Sequence, residues 1–325
     1  IQLIGNRLQN PGAGSGLAFS GLKLAAANTM SDAPAVYAQA GVPSAPRSAA
    51  TGRGFWIQGG AARGNMDGNG NATGFDWRGT QFTMGADTEL EAGTVLGAAL
   101  GYGRGTASPD AGGSTKTKSP RVSVYGSHDL GAWTFSGSAG YARPEFDVQR
   151  LVTVGASTTI ASSSYRGDEW SAAAEAQYTL QFNGFQLKPL AGVRYVQLKQ
   201  DGYTETGSLA NLTVGAQRTE STVSLIGARY QRPVHDGRGT FEARAIWSHE
   251  FGDNSPSLNG RLAAVPGGTT FTVNGVPLKR DALTLGLGIA SQVNKRLSLH
   301  LDGNVELRGS GQQQQALVAG LRYAW

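Results

Sequence analysis

Eight charged residues in the second half of the chain are the strongest candidates for chemistry, because most of them lie between apolar neighbours. Acidic and basic members are mixed, so they could pair with each other, hold water or contact a polar chain. They are Glu175, Arg194, Glu242, Arg244, Glu250, Asp302, Glu306 and Arg308. Alternation with a period of two places successive side chains on opposite faces of a β-strand. We therefore expect all eight on the polar faces of strands.

The motifs of common catalytic and cofactor sites do not occur. The chain has no cysteine, and its four histidines (128, 235, 249 and 300) lack metal-ligand spacing. The patterns G-x-G-x-x-G, G-x-x-x-x-G-K-[ST], H-E-x-x-H and G-x-S-x-G are absent. The net charge is only +5, with no Lys/Arg run that resembles a nucleic-acid arm. We predict that this chain is not itself an enzyme and uses no metal, cofactor or nucleic acid.

The composition excludes a helical membrane protein and leaves a membrane-spanning β-barrel open. Hydrophobic residues make up 39% of the 325 residues and charged residues 16%, both low for a globular domain, whereas there are 48 glycines. Aromatic residues recur along the chain, which argues against disorder. Ile1–Leu8 lacks the basic start and long apolar core of a signal peptide. No stretch approaches 18 apolar residues, so a closed barrel is the remaining way to cross a bilayer.

Period-two alternation dominates from about residue 54. In residues 297–308 one face carries only leucine, valine and glycine. The other face carries Ser298, His300, Asp302, Asn304, Glu306 and Arg308. Twelve such segments occur, at 54–64, 74–87, 93–105, 119–130, 132–148, 163–182, 185–201, 216–233, 239–251, 280–293, 296–308 and 315–325. Many exceed the five or six residues usual in soluble proteins, and crossing an outer membrane takes about 9–11.

The connections between the segments alternate in length. Short turns such as FNGF and VHDGR follow the even-numbered segments, and mostly longer polar loops, the longest at 252–279, follow the odd-numbered ones. This asymmetry is typical of outer-membrane barrels, whose short turns face the periplasm. We predict an all-β fold: a 12-stranded antiparallel transmembrane β-barrel in the bacterial outer membrane, with long loops extracellular and both barrel ends periplasmic.

Aromatic residues near the segment ends fit the interfacial girdles of such a barrel. Examples are Phe55, Trp56, Phe75, Trp77, Trp133, Phe135, Tyr165, Trp170 and Trp325. The alternative is a large soluble β-sandwich or β-propeller, which also uses many alternating strands. The strand lengths, the loop asymmetry and the lack of a propeller-like repeat argue against it.

Residues 1–53 differ from the barrel predicted for residues 54–325. Residues 16–30 show no alternation and allow a short helix, and a linker rich in Pro, Ala and Ser follows. A helix of about 17 residues would be roughly 25 Å long, which matches the apolar band of an outer-membrane barrel. We expect an N-terminal α-helix inside the pore; a disordered terminus is the alternative.

Inside a barrel, the eight charged residues would line the pore, because Arg or Lys at the middle of the lipid face costs about 2–4 kcal/mol. They could pair across neighbouring strands and stiffen the wall, or hold the helix and linker and keep the pore hydrated. Inward glycines could leave room for a passing chain or relieve crowding in the wall. These are Gly97, Gly101, Gly103, Gly286 and Gly288.

Several stretches resemble the C-terminal translocator domain of autotransporters, the proteins of type V secretion. They are LAGVRYVQLKQDGYTETG (190–207), VSLIGARY (223–230), RAIWSHEF (244–251) and the terminal LRYAW. The resemblance covers about residues 54–325, and residues 16–50 stand where that family has its pore helix and linker. The Asn-Asn cleavage site of the self-cleaving members has no match here, since Asn28 precedes Thr29. Self-cleavage in the pore is therefore not expected.

The resemblance implies a translocator that exports its own N-terminal passenger to the cell surface. The implied partners are outer-membrane lipid, the passenger, the barrel-assembly (Bam) machinery and periplasmic chaperones, and the barrel would be a monomer. It also implies that Leu321, Tyr323 and Trp325 belong to the assembly signal. Two alternatives stay open: a porin or diffusion channel, and a surface adhesin that acts through its loops, for which Arg166–Gly167–Asp168 is a weak indication.

Overall fold

The computed structural model describes residues 26–27, 30–31 and 53–325, except 69–72, 92, 155, 209, 253–256, 266, 278 and 310. Ala26–Ala27 and Met30–Ser31 pair with each other as short antiparallel segments. These residues are therefore not in the helix predicted at 16–30; the rest of that segment, and the linker after it, lie outside the described residues. No helix in the described part of the chain is long and apolar enough to cross a membrane.

Twelve barrel strands follow one another along the chain. Strands β1 to β4 are Arg53–Met66, Phe75–Glu91, Thr94–Pro109 and Gly113–Leu130. Strand β5 has two segments, Trp133–Ala142 and Glu145–Val154, and β6 also has two, Ser157–Tyr178 and Leu180–Phe182. Strands β7 to β12 are Phe185–Gln200, Gln217–Val234, Gly239–Glu250, Asp281–Gln292, Leu297–Arg308 and Gln312–Ala324.

The barrel is closed because the last strand pairs with the first. Each strand is antiparallel to its neighbour in sequence, and β12 pairs with β1 from Gln312↔Met66 to Ala324↔Gly54. Closure satisfies the backbone groups that a free sheet edge would leave unpaired, which a bilayer core demands. The predicted 12-stranded antiparallel barrel is confirmed.

The two ends of the barrel differ. One, the short-turn end, holds both barrel termini and turns such as Asn183–Gly184, where Gly184 has a φ of 85° that glycine adopts most easily. The other, the long-loop end, holds residues 67–74, 110–112, 155–156, 201–216, 251–280 and 309–311. At this end β4, β5 and β6 run farther than their alternation predicted, so two expected loops, near 106–118 and 149–162, are largely strand.

The outer face carries an apolar band with aromatic pairs at both edges. Four aromatic residues that the sequence placed in the girdles are instead buried on inward positions: Trp56, Phe75, Trp77 and Tyr165. Trp133 and Tyr178 pack with ring centroids 5.0 Å apart near the short-turn end, and Tyr141 and Trp170 pack at 4.9 Å toward the long-loop end. The pairs are eight residues apart in register, which at roughly 3.3 Å per residue is about 26 Å along the strand. At a strand tilt of about 35–45° this is roughly 20 Å across the membrane, a little less than the apolar band of about 25 Å.

Four short strands at the long-loop end form a separate sheet, here called the loop sheet. They are Tyr203–Thr204, Leu212–Val214, Ser257–Leu262 and Phe271–Asn274. Leu212, Val214 and Leu258 are its core. Sequence alternation did not predict this sheet, because its strands are too short to show a period.

Candidate functional site

The barrel interior gathers the chain's buried polar residues, so it is the candidate functional site. All eight charged residues singled out from the sequence lie on inward-facing positions of β6 to β11. Five of them are buried, with Glu242 only 1% and Glu250 only 2% exposed. Buried charges need partners, and the structure supplies them from neighbouring and more distant strands.

A network of ion pairs runs around the wall from β6 to β11. Arg229 on β8 donates to both carboxylate oxygens of Glu175 on β6, at 2.8 and 3.0 Å. On β9, Arg244 donates to Glu242 at 3.1 Å and reaches Asp302 on β11 at 2.7 and 2.5 Å. The Glu175–Arg229 and Arg244–Asp302 pairs each skip one strand, so they brace the wall beyond the backbone ladder.

The remaining candidates divide between this network and the long-loop end. Arg194 on β7 is attracted by Glu175 and also by Glu306 on β11. Arg308 donates to Glu306 at 2.7 Å and to the carbonyl of Lys279 at 3.1 Å. Glu250 accepts from the hydroxyl of Ser221 and from the backbone of Thr222 and Gly252. The structure therefore brings most of the eight residues into one network, whereas Glu250 bonds to other residues at the long-loop end.

A second buried cluster joins the first and last strands and was missed by sequence reasoning. We call Trp56, Asp87, Tyr125 and Arg322 the closure cluster. Arg322 on β12 donates to both carboxylate oxygens of Asp87 on β2, one of them at 2.5 Å. Tyr125 on β4 donates to Asp87 at 2.9 Å, and Trp56 on β1 donates to Tyr125 at 2.5 Å. The cluster therefore ties β12 to β1, β2 and β4.

Inward glycines make room for these large side chains. A Cβ on Gly54 would lie 2.3 Å from Arg322, one on Gly85 would lie 2.5 Å from Trp56, and one on Gly97 would lie 2.3 Å from Tyr125. Gly286 stands in the same relation to Arg244, at 2.6 Å, and Gly288 to Asp302, at 2.8 Å. From the sequence, inward glycines could leave room for a passing chain or relieve crowding in the wall; these glycines accommodate side chains of the wall itself.

A cavity of about 1090 Å³ lies along small residues of the wall, and Arg244 of the ion-pair network also lines it. The register aligns them directly across six neighbouring strands, β10 to β12 and β1 to β3. We call them the small-residue row: Gly286, Asn304, Ala316, Ala62, Gly79 and Gly105. The residues immediately before and after each member of the row also touch the cavity. The side chains of the row are small, so they leave the backbone of these sequence neighbours uncovered.

The loop sheet covers another part of the interior at the long-loop end. Tyr203 stacks on the inward-facing Tyr165 of β6 with centroids 4.4 Å apart. Arg150 on β5 makes a buried pair with Glu205 at 2.9 and 2.5 Å and also donates to the carbonyl of Ala210 at 3.0 Å. Loop residues are thus fixed to the β5–β7 side of the mouth, away from the small-residue row.

The residues proposed for assembly lie on the outer face of β12. Tyr323 and Trp325 are 42% and 56% exposed, with ring centroids 6.2 Å apart at the short-turn end, and Leu321 precedes them on the same face. Arg166–Gly167–Asp168 lies within β6, where Arg166 pairs with Glu145 and Asp168 accepts from Tyr141. No group of three acidic or histidine side chains in the described residues could hold a metal ion.

Comparisons with known proteins agree with this barrel. The translocator domain of the autotransporter NalP from Neisseria meningitidis has a TM-score of 0.69 and 22% identity, covering 85% of this chain and 89% of that one. The beta domain of the Bordetella autotransporter BrkA has a TM-score of 0.63 and 18% identity, covering 84% and 100%. Identities this low show a shared fold only.

A curated relative and a family model extend the likeness to sequence. An extracellular serine protease of Serratia marcescens is 26% identical over 267 residues, which is 80% of this chain and 25% of the relative. The chain therefore spans about a quarter of the length of this relative. The family model for the autotransporter beta-domain matches residues 55–304. Since that match covers well over half of the chain, the chain belongs to the autotransporter beta-domain family, whose barrels lie in the outer membrane.

Proposed function

We propose that this chain is the translocator of an autotransporter and exports an N-terminal passenger to the cell surface. The observation that carries the proposal is the cavity along the small-residue row inside a closed barrel, in a chain of this family. A beta-domain is not itself catalytic, so any activity of the whole protein would reside in the passenger. The barrel supplies a wall with no free edge and a partly polar passage.

The distribution of large and small side chains inside the barrel suggests which side of the lumen is open to the passing chain. Ion pairs run along the wall from β6 to β11, and large side chains occupy the short-turn end near β12. The small-residue row occupies the β10–β3 side, and a further cavity of about 730 Å³ follows it toward the long-loop end, beside Gly64, Trp77 and Gln314. We propose that the segment formed by residues 16–50 passes along this side, with the network charges holding it.

The proposed orientation places the short-turn end in the periplasm and the loops outside the cell. Loop lengths support it, because outer-membrane barrels have short periplasmic turns. In this orientation Tyr323 and Trp325 lie at the periplasmic interface, where the Bam machinery would read them during insertion. If they carry that signal, Trp325→Ala lowers the heat-modifiable, folded fraction on a gel; a normal folded fraction would exclude this function. We propose a monomer, held by lipid on its whole outer face.

An epitope placed before Ile1 is expected to become accessible to protease on intact cells. The reason is that export carries whatever precedes the barrel through to the outside. The control is the same epitope in the His235–Gly237 turn at the short-turn end, which should stay protected until the cells are opened. An N-terminal epitope that stays protected beside a folded barrel would contradict export, and an accessible epitope in the turn would contradict the orientation.

Removing residues 1–50 is expected to raise the single-channel conductance of the barrel in planar bilayers several-fold. A segment within the lumen excludes ions from the space along the small-residue row, and its loss opens that space to water. The full chain, reconstituted in parallel, is the control. Equal conductance with and without the segment would contradict the plugged lumen, and a high conductance in both would favour the diffusion-channel alternative.

A further inference from the structure

Three arginines on adjacent strands face away from the lumen at one height of the barrel. We call Arg63 of β1, Arg78 of β2 and Arg104 of β3 the outer arginine cluster, and all three are exposed. Arg63 stands directly opposite Arg78 in the register, and Arg104 stands opposite Thr80, diagonal to Arg78. Like charges directly opposite each other destabilise a sheet, so this arrangement needs a counter-charge.

The described residues do not supply that counter-charge. Among the described residues, no carboxylate forms an ion pair with any of the three guanidinium groups, and this includes Asp76 on the same face of β2. Arg63 donates only to the amide oxygen of Gln315, at 3.1 and 3.4 Å. Arg104 lies over the ring of Tyr102, 5.4 Å from its centroid, which positions the cation without neutralising it.

Other basic residues on this outer face are paired in part. Lys118 meets Asp147 at 3.6 Å, Arg166 meets Glu145 at 2.9 Å and Arg218 pairs with Glu220. These pairs lie on β4 to β8, also toward the long-loop end, where the exposed Lys116 and Lys199 form no ion pair among the described residues. The outer arginine cluster differs from those separate lysines because its three unpaired charges lie side by side on adjacent strands.

The cluster lies at the upper edge of the apolar band. Arg63 is eight residues beyond Phe55 on the same face of β1, about 26 Å along the strand at roughly 3.3 Å per residue. A strand tilt of about 35–45° reduces this to roughly 20 Å across the membrane. Phe82 and Leu100, lower on the same faces, are exposed as lipid-facing residues are. The guanidinium groups can therefore extend from the edge of the hydrocarbon into the headgroup layer.

We propose that the outer arginine cluster binds the phosphate groups of a phosphorylated glycolipid in the outer leaflet. Arginine forms charge-assisted, bidentate hydrogen bonds with phosphate, and a phosphate between Arg63 and Arg78 would neutralise their repulsion. The acyl chains of the same lipid would cover the apolar surface below the cluster. This rests on the proposed orientation, which places the long-loop end in the outer leaflet.

Binding of lipid A to the purified full chain in nanodiscs tests the proposal. The triple variant R63Q/R78Q/R104Q is expected to bind phosphorylated lipid A at least about tenfold more weakly than the wild type, because each basic residue near a charged membrane surface contributes to the attraction. The matched control K118Q/R166Q/R218Q removes the same charge from the paired sites and should bind within about twofold of the wild type.

Several outcomes would overturn the proposal. They are equal losses in the two triple variants, equal binding of lipid A stripped of its phosphates, and competition by millimolar inorganic phosphate, which would indicate a site for the free ion. Heat modifiability on a gel establishes that each variant is folded. If the triple variant does not fold, Arg78→Gln alone should weaken binding at least threefold, and unchanged binding would overturn the proposal. The assay involves no export, so its failure would leave the translocator function intact.

Discussion

Replacing Asp87 with alanine is expected to lower the free energy of unfolding of the barrel by about 3–5 kcal/mol, the usual cost of leaving a buried charge without its partner. Asp87 is 7% exposed and accepts hydrogen bonds from Arg322 and Tyr125. Without it, the guanidinium of Arg322 stays buried, and the Nε of that group already lacks a partner among the described residues. Unfolding in urea from lipid vesicles, followed by heat modifiability, measures the change.

The position of the Asp87–Arg322 ion pair explains why its loss should destabilise the whole barrel. Arg322 lies on β12, three residues before Trp325, and Asp87 lies on β2, so their bond crosses the β12–β1 seam. The backbone ladder at that seam joins parts of the chain that are distant in sequence, and its formation closes a long loop at an entropic cost. A buried ion pair across the seam stabilises the closed state relative to an open sheet.

Three variants separate the ion pair from other effects. Glu145→Ala removes the carboxylate of an exposed pair with Arg166 and should cost less than about 1 kcal/mol. Asp87→Asn keeps a hydrogen-bond acceptor and should lie between the wild type and Asp87→Ala. The double variant D87A/R322M removes the uncompensated charge and should regain part of the loss. If Asp87→Ala costs no more than Glu145→Ala, the closure cluster does not stabilise the seam.

The alternation of residues along each strand allowed the inward and outward faces of the barrel to be predicted, because the outward face must be apolar where it contacts lipid. Leu317, Leu321 and Tyr323 face outward and Arg322 faces inward, as their alternation indicates. The same reasoning could not find the extra length of β4 and β6, since Lys116 and Lys118 lie beyond the apolar band, where outward positions are polar. Alternation of hydrophobicity reports contact with lipid, so it ends at the edge of the band although the strand continues.

The ion-pair partners of the inward-facing side chains could not be predicted from the order of the strands alone. Arg229 reaches past β7 to Glu175, and Arg322 reaches past β1 to Asp87, so the pairs are not those of adjacent strands. Which charges meet depends on the tilt and register that closure imposes. The signal that could have found the closure cluster is indirect: Gly54, Gly85 and Gly97 are inward positions without side chains, each beside a bulky inward residue of a neighbouring strand.

Introducing tryptophan at both Ala62 and Ala316 is expected to lower surface display of the N-terminal epitope by at least about tenfold, because two indoles in the cavity would leave too little room for a chain to pass without steric overlap. The two alanines are direct cross-strand partners at the centre of the small-residue row and line the cavity. Their indoles would project into the lumen beside Gly79, where an exported chain would have to pass. Protease accessibility of the epitope on intact cells is the measurement.

The matched control places the same two side chains on the other face of the same strands. Ala61 and Ala319 are exposed on the lipid side of β1 and β12, so A61W/A319W adds equal bulk without narrowing the lumen and should display the epitope normally. Both double variants must reach the folded, heat-modifiable state for the comparison to hold. Equal display by the two would show that the passenger does not travel along the small-residue row, because only the first variant places its indoles in the lumen.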